Sequence, residues 1–379
     1  SRAEQAAPAP PSFDPDAHIK MIEEGETTQY PATRSDILIV PPGVKTSAVR
    51  YRRNSSIVQR SPSGAIYCAG NILGQYMMVS KDEGRTWQRR ELDIQGWGAM
   101  VGFRILRNDD FLIVYEPVGR GYRGLYTARS KDEGKTWSVT MADLDLSPFT
   151  RIRGKGNNVI ELTDGTLVMG VQLWGGRDES GAKVTPVLVP SWGEMGSAHT
   201  LRSTDGGKTW SQRTSIGGLA GMARLVRLES GKLLASVYKL RSNQLMLAES
   251  GDDGLSWSSL RTVATEYNPG GEMGSLTALG DGSVLLQFLY DATTYKHAHL
   301  DWYETEGLRA IISHDEGKTW EKQVYVIGRQ IPPGKRPTGG GAYLGDSIRL
   351  KDGRLLTSCV NNVGRGFRFQ AVLWEPLPK

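Results

Sequence analysis

A histidine-rich segment, YDATTYKHAHLDWYETEG over residues 290–307, alternates side chains that can bind a metal ion or a sugar. His297, His299 and Asp301 occupy every second position, so they share one side if the segment is extended. Imidazole and carboxylate groups are metal ligands, which makes a metal site one interpretation. A hydrogen-bonding wall for a sugar, to which Tyr303 would contribute, is the second. An ordinary solvated surface is the third.

A second expanded segment, residues 174–196, combines charged side chains with flat aromatic surface. Trp174 and Trp192 carry rings that can stack on a sugar. His199 begins the next apolar stretch, either facing a ligand or serving as a hydrogen-bonded structural histidine. Loops of this length in a compact domain are more often functional than decorative, which makes both expanded segments candidates for a binding site.

Five copies of an eight-residue box with the frame Ser-x-Asp-x-Gly-x-Ser/Thr-Trp organise the chain. They begin at Ser80, Ser130, Ser203, Ser250 and Ser313. The Asp carboxylate can accept backbone N–H groups in a tight turn, Gly permits positive φ, and Trp can anchor the loop to a sheet. The residues that the five copies share are suited to forming a turn, so we expect the box aspartates to be structural.

Six apolar segments, each broken by a short turn, alternate with the boxes, as in VRLESGKLLASVY at residues 226–238. Two strands joined by a turn, a third running into the box and a fourth leaving it make a four-stranded antiparallel sheet. Six such units predict an all-β, six-bladed β-propeller. The sixth unit lacks a fourth strand, and we expect the apolar stretch at residues 35–42 to complete it and close the ring.

This organisation predicts one domain over residues 35–379, preceded by a flexible Ala/Pro-rich extension over residues 1–34. In a four-stranded blade, the turn between strands one and two and the box lie on the same face of the ring. The binding site is therefore expected on the opposite face, where the innermost strands begin and the expanded loops converge.

Boxes of this kind on a six-bladed propeller resemble the sialidase (neuraminidase) superfamily, over residues from about 35 to the end. The resemblance implies a glycosidase with a Tyr nucleophile assisted by Glu, an Asp acid/base, and arginines that hold the carboxylate of an acidic sugar. Arg53 falls on the first family arginine, although Asn-Ser replaces the Ile-Pro pair of the family motif. The first blade's loop, AGNILGQYMM, contains no carboxylate where the family places its acid.

The resemblance directs attention to the starts of the later blades. Glu272 precedes the fifth blade, and Tyr343 and Asp346 precede the sixth. Glu272 and Asp346 are the candidate acid/base pair, with Tyr343 as candidate nucleophile. Cationic side chains at the same level would bind the acidic sugar, namely Arg53, Arg224 and Arg365.

The expected activity is therefore exo-acting hydrolysis of a terminal acidic sugar, sialic acid or similar, from an oligosaccharide or polysaccharide, with no cofactor or metal. Two alternatives remain open. One is a polysaccharide lyase, in which arginine neutralises a uronate and Tyr303, His297 or His299 removes the C5 proton. The other is a carbohydrate-binding propeller without catalysis, which the missing acid favours.

Composition narrows the class of protein and its partners. The chain of 379 residues has a net charge of +5, spread along its length, which gives little support for a nucleic-acid partner. Its apolar runs are too short to insert in a bilayer. Two cysteines show no metal-ligand spacing. The Ala/Pro-rich start is typical of a tether left after an export signal is removed, so we expect a secreted, periplasmic or cell-surface location.

Overall fold

The structure is a computed structural model. It describes residues 37–39, 56–70, 76–117, 124–153, 159–176, 187–189, 193–217, 220–239, 244–263, 274–290, 307–321, 325–328, 345–363 and 366–376. These residues form β-strands and turns and contain no helix, so no described helix is available to span a membrane. The strands assemble into the six-bladed β-propeller that the sequence predicts.

Blades one and two are regular four-stranded antiparallel sheets, each running outward from the axis in chain order. The N-terminal strand, β1, is Ile37–Ile39. Blade one contains β2 Ser56–Arg60, β3 Ile66–Gly70, β4 Tyr76–Ser80 and β5 Gln88–Glu91. Blade two contains β6 Ala99–Ile105, β7 Phe111–Glu116, β8 Tyr126–Ser130 and β9 Ser138–Met141.

Blade three departs from the predicted four-stranded pattern. Its strands are β10 Asp143–Leu144, β11 Arg151–Arg153, β12 Val159–Glu161, β13 Leu167–Trp174, β16 Ser197–Ser203 and β17 Thr209–Gly217. The innermost position is divided between β11 and β12, which both pair with β13, and β10 adds to β17 in parallel. A hairpin of β14 Val187–Val189 and β15 Gly193–Met195 lies within the expanded segment.

The last three blades are again four-stranded. Blade four contains β18 Ala220–Arg227, β19 Leu233–Lys239, β20 Gln244–Ser250 and β21 Arg261–Thr262. Blade five contains β22 Gly274–Gly280, β23 Ser283–Tyr290, β24 Gly307–Ser313 and β25 Tyr325–Gly328. Blade six contains β26 Ser347–Arg349, β27 Leu355–Val363 and β28 Gly366–Trp374.

The N-terminal strand closes the ring by becoming the outermost strand of blade six. It pairs antiparallel with β28, with Ile37 opposite Val372 and Ile39 opposite Gln370. The first strand of the chain is thus hydrogen-bonded to the last one. This confirms the prediction that the apolar stretch near residue 38 completes the sixth blade.

The hydrophobic core is divided into six clusters, one between each pair of neighbouring blades. In blade one, Ile57 and Met77 face blade two, whereas Val58 and Met78 face blade six. Side chains alternate along a strand, so each inner strand contributes to two clusters. This explains the nearly continuous apolar runs in the sequence, because both faces of every blade are buried.

The boxes are the turns between the third and fourth strands, as predicted. In the second box, the Asp132 carboxylate accepts the Thr136 N–H at 2.9 Å and the Thr136 hydroxyl at 2.6 Å. These hydrogen bonds hold the pKa of Asp132 well below its usual range. In the fifth box, Gly317 has φ +86°, and an added Cβ would lie 2.8 Å from Leu234 of blade four. The box therefore needs glycine both for its turn and for its contact with the preceding blade.

The two faces of the ring are distinct. Arg60, at the end of β2, forms two hydrogen bonds of 2.6 and 2.8 Å with Glu83 of the first box, so the hairpin turn and the box share one face. We call this the box face. The opposite face, where the innermost strands begin, is called the funnel face.

Replacing Ser130 by Ala should lower the free energy of unfolding by about 1–3 kcal/mol, because the buried Gly134 N–H loses its acceptor. The Ser130 hydroxyl now accepts that N–H at 2.7 Å and donates to Asp132 at 2.7 Å. Urea unfolding measures the loss. Ser259→Ala, at an exposed position after the fourth box, is the matched control and should change stability by less than about 0.5 kcal/mol. Equal stability of the two variants would contradict this role of the box.

Candidate functional site

Charged side chains of the innermost strands meet near the propeller axis. In blades four and six, the same backbone hydrogen bond closes the turn between the first two strands. Its donor is the N–H of Leu228 in blade four and the N–H of Leu350 in blade six, and in each case the acceptor is the carbonyl four residues later. Arg224 and Asp346 each lie four residues before that leucine, so they occupy equivalent levels of the ring. Arg104 in β6 of blade two also acts on Asp346 electrostatically.

Thr277 in β22 of blade five completes this group by hydrogen bonding to Asp346. We call Arg104, Arg224, Thr277 and Asp346 the axial cluster. Its members come from four different blades, so it exists only when the ring is closed.

Asp346 is 3% exposed and is held by polar groups on several sides. Its Oδ1 accepts the Thr277 hydroxyl at 3.0 Å and the Ser347 N–H at 3.0 Å. Burial raises the pKa of Asp346 to about 6, although these hydrogen bonds and the charges of Arg224 and Arg104 oppose the rise. The carboxyl group therefore exchanges its proton in the mildly acidic range, which suits proton transfer to a substrate.

Arg224 is 1% exposed and donates from Nη1 to the Ser275 hydroxyl at 3.2 Å. Its Nε and Nη2 atoms have no hydrogen-bond partner among the residues that the structure describes. Burial lowers the pKa of Arg224 to about 10, with the charge of Asp346 opposing the shift. Burial also lowers the pKa of Arg104, against the charges of Asp346 and Glu161. Arg224 therefore stays cationic near neutral pH.

A buried hydrogen-bond network fixes the backbone around Asp346. The Asp346 N–H donates to the Ser358 hydroxyl at 3.2 Å, and the Ser56 hydroxyl of blade one lies 3.0 Å from that of Ser358. On the other side, the Ser347 and Thr357 hydroxyls are 2.6 Å apart, and Trp374 Nε1 donates to Thr357 at 2.9 Å. These bonds connect blade six to its neighbour in the ring and hold the carboxyl group in one position.

His199 lies in β16, the third strand of blade three, and is 3% exposed. Its Nε2 is 2.7 Å from the Ser197 hydroxyl, and its ring meets Phe149 edge-on at 5.0 Å. Burial, with the charge of Arg213, lowers the pKa of His199 to about 4. The ring is neutral at pH 7, and its surroundings favour the structural interpretation of this histidine over a ligand-facing one.

Trp174 was predicted to begin a loop, but the structure places it at the end of β13, paired with Arg151 of β11. It is 8% exposed, which leaves little ring surface for stacking on a sugar. The added strand β11 explains the difference, because it extends the sheet beyond the four-stranded unit that the sequence indicated.

The remaining predicted site residues lie outside the described residues, and their roles stay predictions. They are Arg53, Trp192, Glu272, His297, His299, Tyr303, Tyr343 and Arg365. Asp301 of the metal interpretation lies there as well. Within the described part of the chain, no group of three or more His, Cys, Asp or Glu side chains is arranged to hold a metal ion.

Arg104 and Thr277 were not singled out from the sequence. The sequence feature that could have identified Arg104 is its charge, because it stands in the otherwise apolar strand VGFRIL. A buried charge requires a partner, so an arginine at that position indicates an opposing carboxylate elsewhere in the fold. The identity of that partner depends on which blades meet at the axis.

A cavity of about 230 Å³ lies between blades four and five on the box face, lined by Arg227, Glu229, Gly282 and Glu316 among others. Both carboxylates accept hydrogen bonds from backbone N–H groups. Glu229 accepts the Gly282 N–H at 2.6 Å, and Glu316 accepts the Ser230 N–H at 2.7 Å. These bonds join the two blades. The cavity is therefore a less suitable reaction site than the axial cluster.

The buried state of Asp346 makes stability depend on pH in a specific direction. Its pKa is about 6 in the folded chain against 3.8 as the ordinary value, so the folded state binds the proton more tightly. The contribution of this tighter proton binding to the free energy of unfolding is fully present below pH 3.8 and is lost as the pH rises through 6. Between pH 4 and pH 8, wild type should lose about 2 kcal/mol more than Asp346→Asn, which does not titrate. Urea unfolding of both proteins measures this difference, and a pH-independent difference would contradict the assignment.

The solved structures that share the fold of this chain include the three described next. A protein described as of unknown function from Dyadobacter fermentans is 18% identical, with 86% of this chain and 94% of that chain covered and a TM-score of 0.61. The Hadza microbial sialidase Hz136 is 19% identical, with 84% and 65% covered and a TM-score of 0.55. An α-L-arabinofuranosidase from Fusarium graminearum is 12% identical, with 90% and 97% covered and a TM-score of 0.60. At these identities the likeness shows the fold alone.

No curated protein sequence matches the chain. A family model described as a BNR repeat-like domain matches residues 105–330, which is more than half of the chain. This range includes four of the five boxes. The chain therefore belongs to the BNR repeat-like family.

Proposed function

We propose that the protein is an exo-acting glycoside hydrolase that removes a terminal acidic sugar, such as sialic acid, from an oligosaccharide or polysaccharide. The observation that carries the proposal is the buried carboxyl group of Asp346, at the start of an innermost strand and beside the arginines of the axial cluster. The fold is one that hydrolases of sialosides and arabinofuranosides also adopt. Because the glycans that carry such sugars lie largely outside the cytoplasm, the proposal includes an extracytoplasmic location.

Asp346 is suited to act as the general acid. Cleavage of a glycoside requires a proton on the leaving oxygen, and an acid with a pKa near 6 can donate it in mildly acidic solution. The Thr277 hydroxyl and the Ser347 N–H both donate to Oδ1, which fixes the orientation of the carboxyl group. The same carboxylate would accept a proton from water in a second step.

The second reacting group is proposed from chain position. Glu272 lies two residues before β22, which carries Thr277, and Tyr343 lies three residues before Asp346. In the sequence, Glu272 therefore precedes the innermost strand of blade five, which supplies Thr277, and Tyr343 precedes the innermost strand of blade six, which follows Asp346. In this proposal Tyr343 attacks the anomeric carbon and Glu272 accepts its proton, the division of roles that the sialidase resemblance implies.

An acidic substrate is favoured by the charge of the axial cluster. Arg224 and Arg104 are cations, and the planar guanidinium group matches a carboxylate in two-point geometry. A neutral furanoside is the second candidate substrate, because the Fusarium arabinofuranosidase shares the fold over 97% of its length. Aryl sialosides, aryl arabinofuranosides and uronate-containing oligosaccharides together distinguish these options. Appearance of unsaturated uronate products would indicate a lyase instead, and binding without turnover would indicate a carbohydrate-binding protein.

Asp346→Asn should lower kcat by about 100-fold or more on a natural sialoside, because the leaving oxygen loses its proton donor. The loss should be much smaller on a nitrophenyl sialoside, whose leaving group needs little protonation. In wild type, kcat on the natural sialoside should fall as the pH rises through about 6, where Asp346 loses its proton. Rates with both substrates between pH 4 and pH 8 measure these effects.

The matched control is Asp352→Asn, six residues further along the same blade. Asp352 is exposed on the box face, where it bonds to Arg354 at 2.9 Å. Its replacement should leave kcat unchanged. Full activity of Asp346→Asn on the natural sialoside would exclude Asp346 as the acid.

A further inference from the structure

Three polar side chains of blade five are hydrogen-bonded in a row on the box face. Ser283 begins β23, just after the hairpin turn, and its Oγ lies 3.1 Å from Nδ1 of His314. His314 is the second residue of the fifth box, and its Nε2 is hydrogen-bonded to Oε1 of Glu321, the residue that follows the box. A hydroxyl, an imidazole and a carboxylate are thus connected in the order that activates a serine for nucleophilic attack. We call these residues the blade-five triad.

The proton positions in the blade-five triad follow from its acceptors. Because an ionised carboxylate can only accept hydrogen bonds, His314 Nε2 donates to Glu321. In a neutral imidazole the other nitrogen, Nδ1, then accepts from the Ser283 hydroxyl. The Tyr325 hydroxyl donates to Oε2 of Glu321 at 3.2 Å, so both carboxylate oxygens are held. In Ser-His-Asp hydrolases Nε2 faces the serine, but either ring nitrogen can remove the proton.

The repeats show that the turn itself does not require these residue types. In blade four the Leu228 N–H closes the hairpin turn on the Lys232 carbonyl, and Ser283 is the residue of blade five that corresponds to Lys232. None of the first four blades combines a hydroxyl, an imidazole and a carboxylate at the three corresponding positions. Those positions hold Ala65, Lys81 and Gln88 in blade one, Asp110, Lys131 and Ser138 in blade two, Thr166, Thr204 and Ser211 in blade three, and Lys232, Gly251 and Ser258 in blade four.

Ser283 is part of the lining of the cavity between blades four and five, which has a volume of about 230 Å³. Arg227 lines the same cavity. Its Nη2 is bonded to the Thr163 hydroxyl, whereas its Nε is buried and has no hydrogen-bond partner among the residues that the structure describes. The oxyanion that forms in an acyl-transfer reaction requires an N–H donor of this kind. The cavity therefore combines a serine, its base and a candidate oxyanion donor.

We propose that this cavity is a second reaction site, at which esters of short, uncharged acyl groups such as acetyl are hydrolysed. Ser283 is the nucleophile, His314 is the general base, and Arg227 is the donor to the oxyanion. Glu321 is a positioning residue, because it acts on the substrate only through the histidine ring. The proposal is independent of the glycosidase reaction, which is assigned to the axial cluster.

The size and charge of the cavity limit the acyl group. Its volume of about 230 Å³ is below the roughly 300–1,000 Å³ of pockets for drug-sized ligands, so a long acyl chain does not fit. Glu229 and Glu316 in the lining repel a negatively charged acyl group. The same repulsion favours release of the carboxylate product.

The proposed reaction has two steps. In the first, Ser283 Oγ attacks the carbonyl carbon of the ester, and its proton passes to Nδ1 of His314. The bond from that carbon to the alcohol oxygen breaks, and His314 returns the proton to the departing alcohol. In the second, water attacks the acyl-serine and gives a proton to Nδ1, the bond to Oγ breaks, and Oγ takes up that proton. One alcohol and one carboxylic acid are released, and the serine is regenerated.

Covalent labelling of the wild-type full chain tests the nucleophile directly. Methanesulfonyl fluoride is a small reagent that an activated serine attacks with loss of fluoride. Intact mass spectrometry should show one methylsulfonyl group per chain, and peptide mapping should place that group on Ser283. An unlabelled chain, or a label on another serine, would overturn the proposal.

His314→Gln should slow this labelling by about 100-fold or more, because Ser283 loses its base. Ser230→Ala is the matched control, since Ser230 is an exposed serine in the neighbouring hairpin turn of blade four. Its chain should be labelled at the wild-type rate. Equal rates in wild type and His314→Gln would contradict the role of the histidine.

Hydrolysis of 4-nitrophenyl acetate measures turnover, with 4-nitrophenyl octanoate as the longer substrate. In wild type, kcat/KM should be at least about 10-fold higher on the acetate. Ser283→Ala should reduce the acetate rate to that of buffer alone. Glu321→Gln should lower kcat by about 10-fold or more and leave KM unchanged, because the carboxylate orients the ring without touching the substrate. Wild-type turnover by Ser283→Ala would overturn the proposal.

Discussion

Each blade of this propeller is apolar on both faces, and this constraint determines the rest of the structure. A sheet with two apolar faces is stable only between two neighbours, so the blades must form a closed ring. The six clusters between blades provide this burial, and the pairing of β1 with β28 joins the two ends of the chain. The boxes contribute at the periphery of the ring, where Gly317 packs against Leu234 of the preceding blade.

Closing the ring also creates the axial cluster. The innermost strands carry a few polar residues in otherwise apolar surroundings, and several of these residues bond to side chains of the neighbouring blade. Thr277 of blade five bonds to Asp346 of blade six, and Arg224 of blade four bonds to Ser275 of blade five. The chemical properties of Asp346, including its pKa near 6, therefore depend on contacts between blades. The same packing that stabilises the fold sets the proton affinity of its candidate acid.

The repeats made the fold predictable from the sequence. The box frame occurs five times, and its hydrogen bonds are local, as those between Asp132 and Thr136 show. The strand that closes the ring was also predicted, because the sixth unit was visibly one strand short. Blade three was not predictable in the same way. Its innermost position is shared by β11 and β12, and the pairing of Arg151 with Trp174 has no sequence repeat to indicate it.

The site was predictable only in part. Asp346 and Arg224 were identified from their positions at the starts of blades, and the structure places both in the axial cluster. Arg104 and Thr277 were missed, because their roles depend on side chains of other blades that lie far away in sequence. Burial of His199 beside Phe149 likewise follows from how blade three packs against the segment before it. Side-chain direction within a ring is a property of the closed fold, and spacing along the chain does not specify it.

We propose that a sugar binds at the axial cluster. The most direct measurement is the crystal structure of the protein with a soaked acidic monosaccharide. Sugar density is expected at the axis on the funnel face, within hydrogen-bonding distance of Arg224 or Asp346. Density confined to the box face, for example in the cavity beside Glu229 and Glu316, would contradict it.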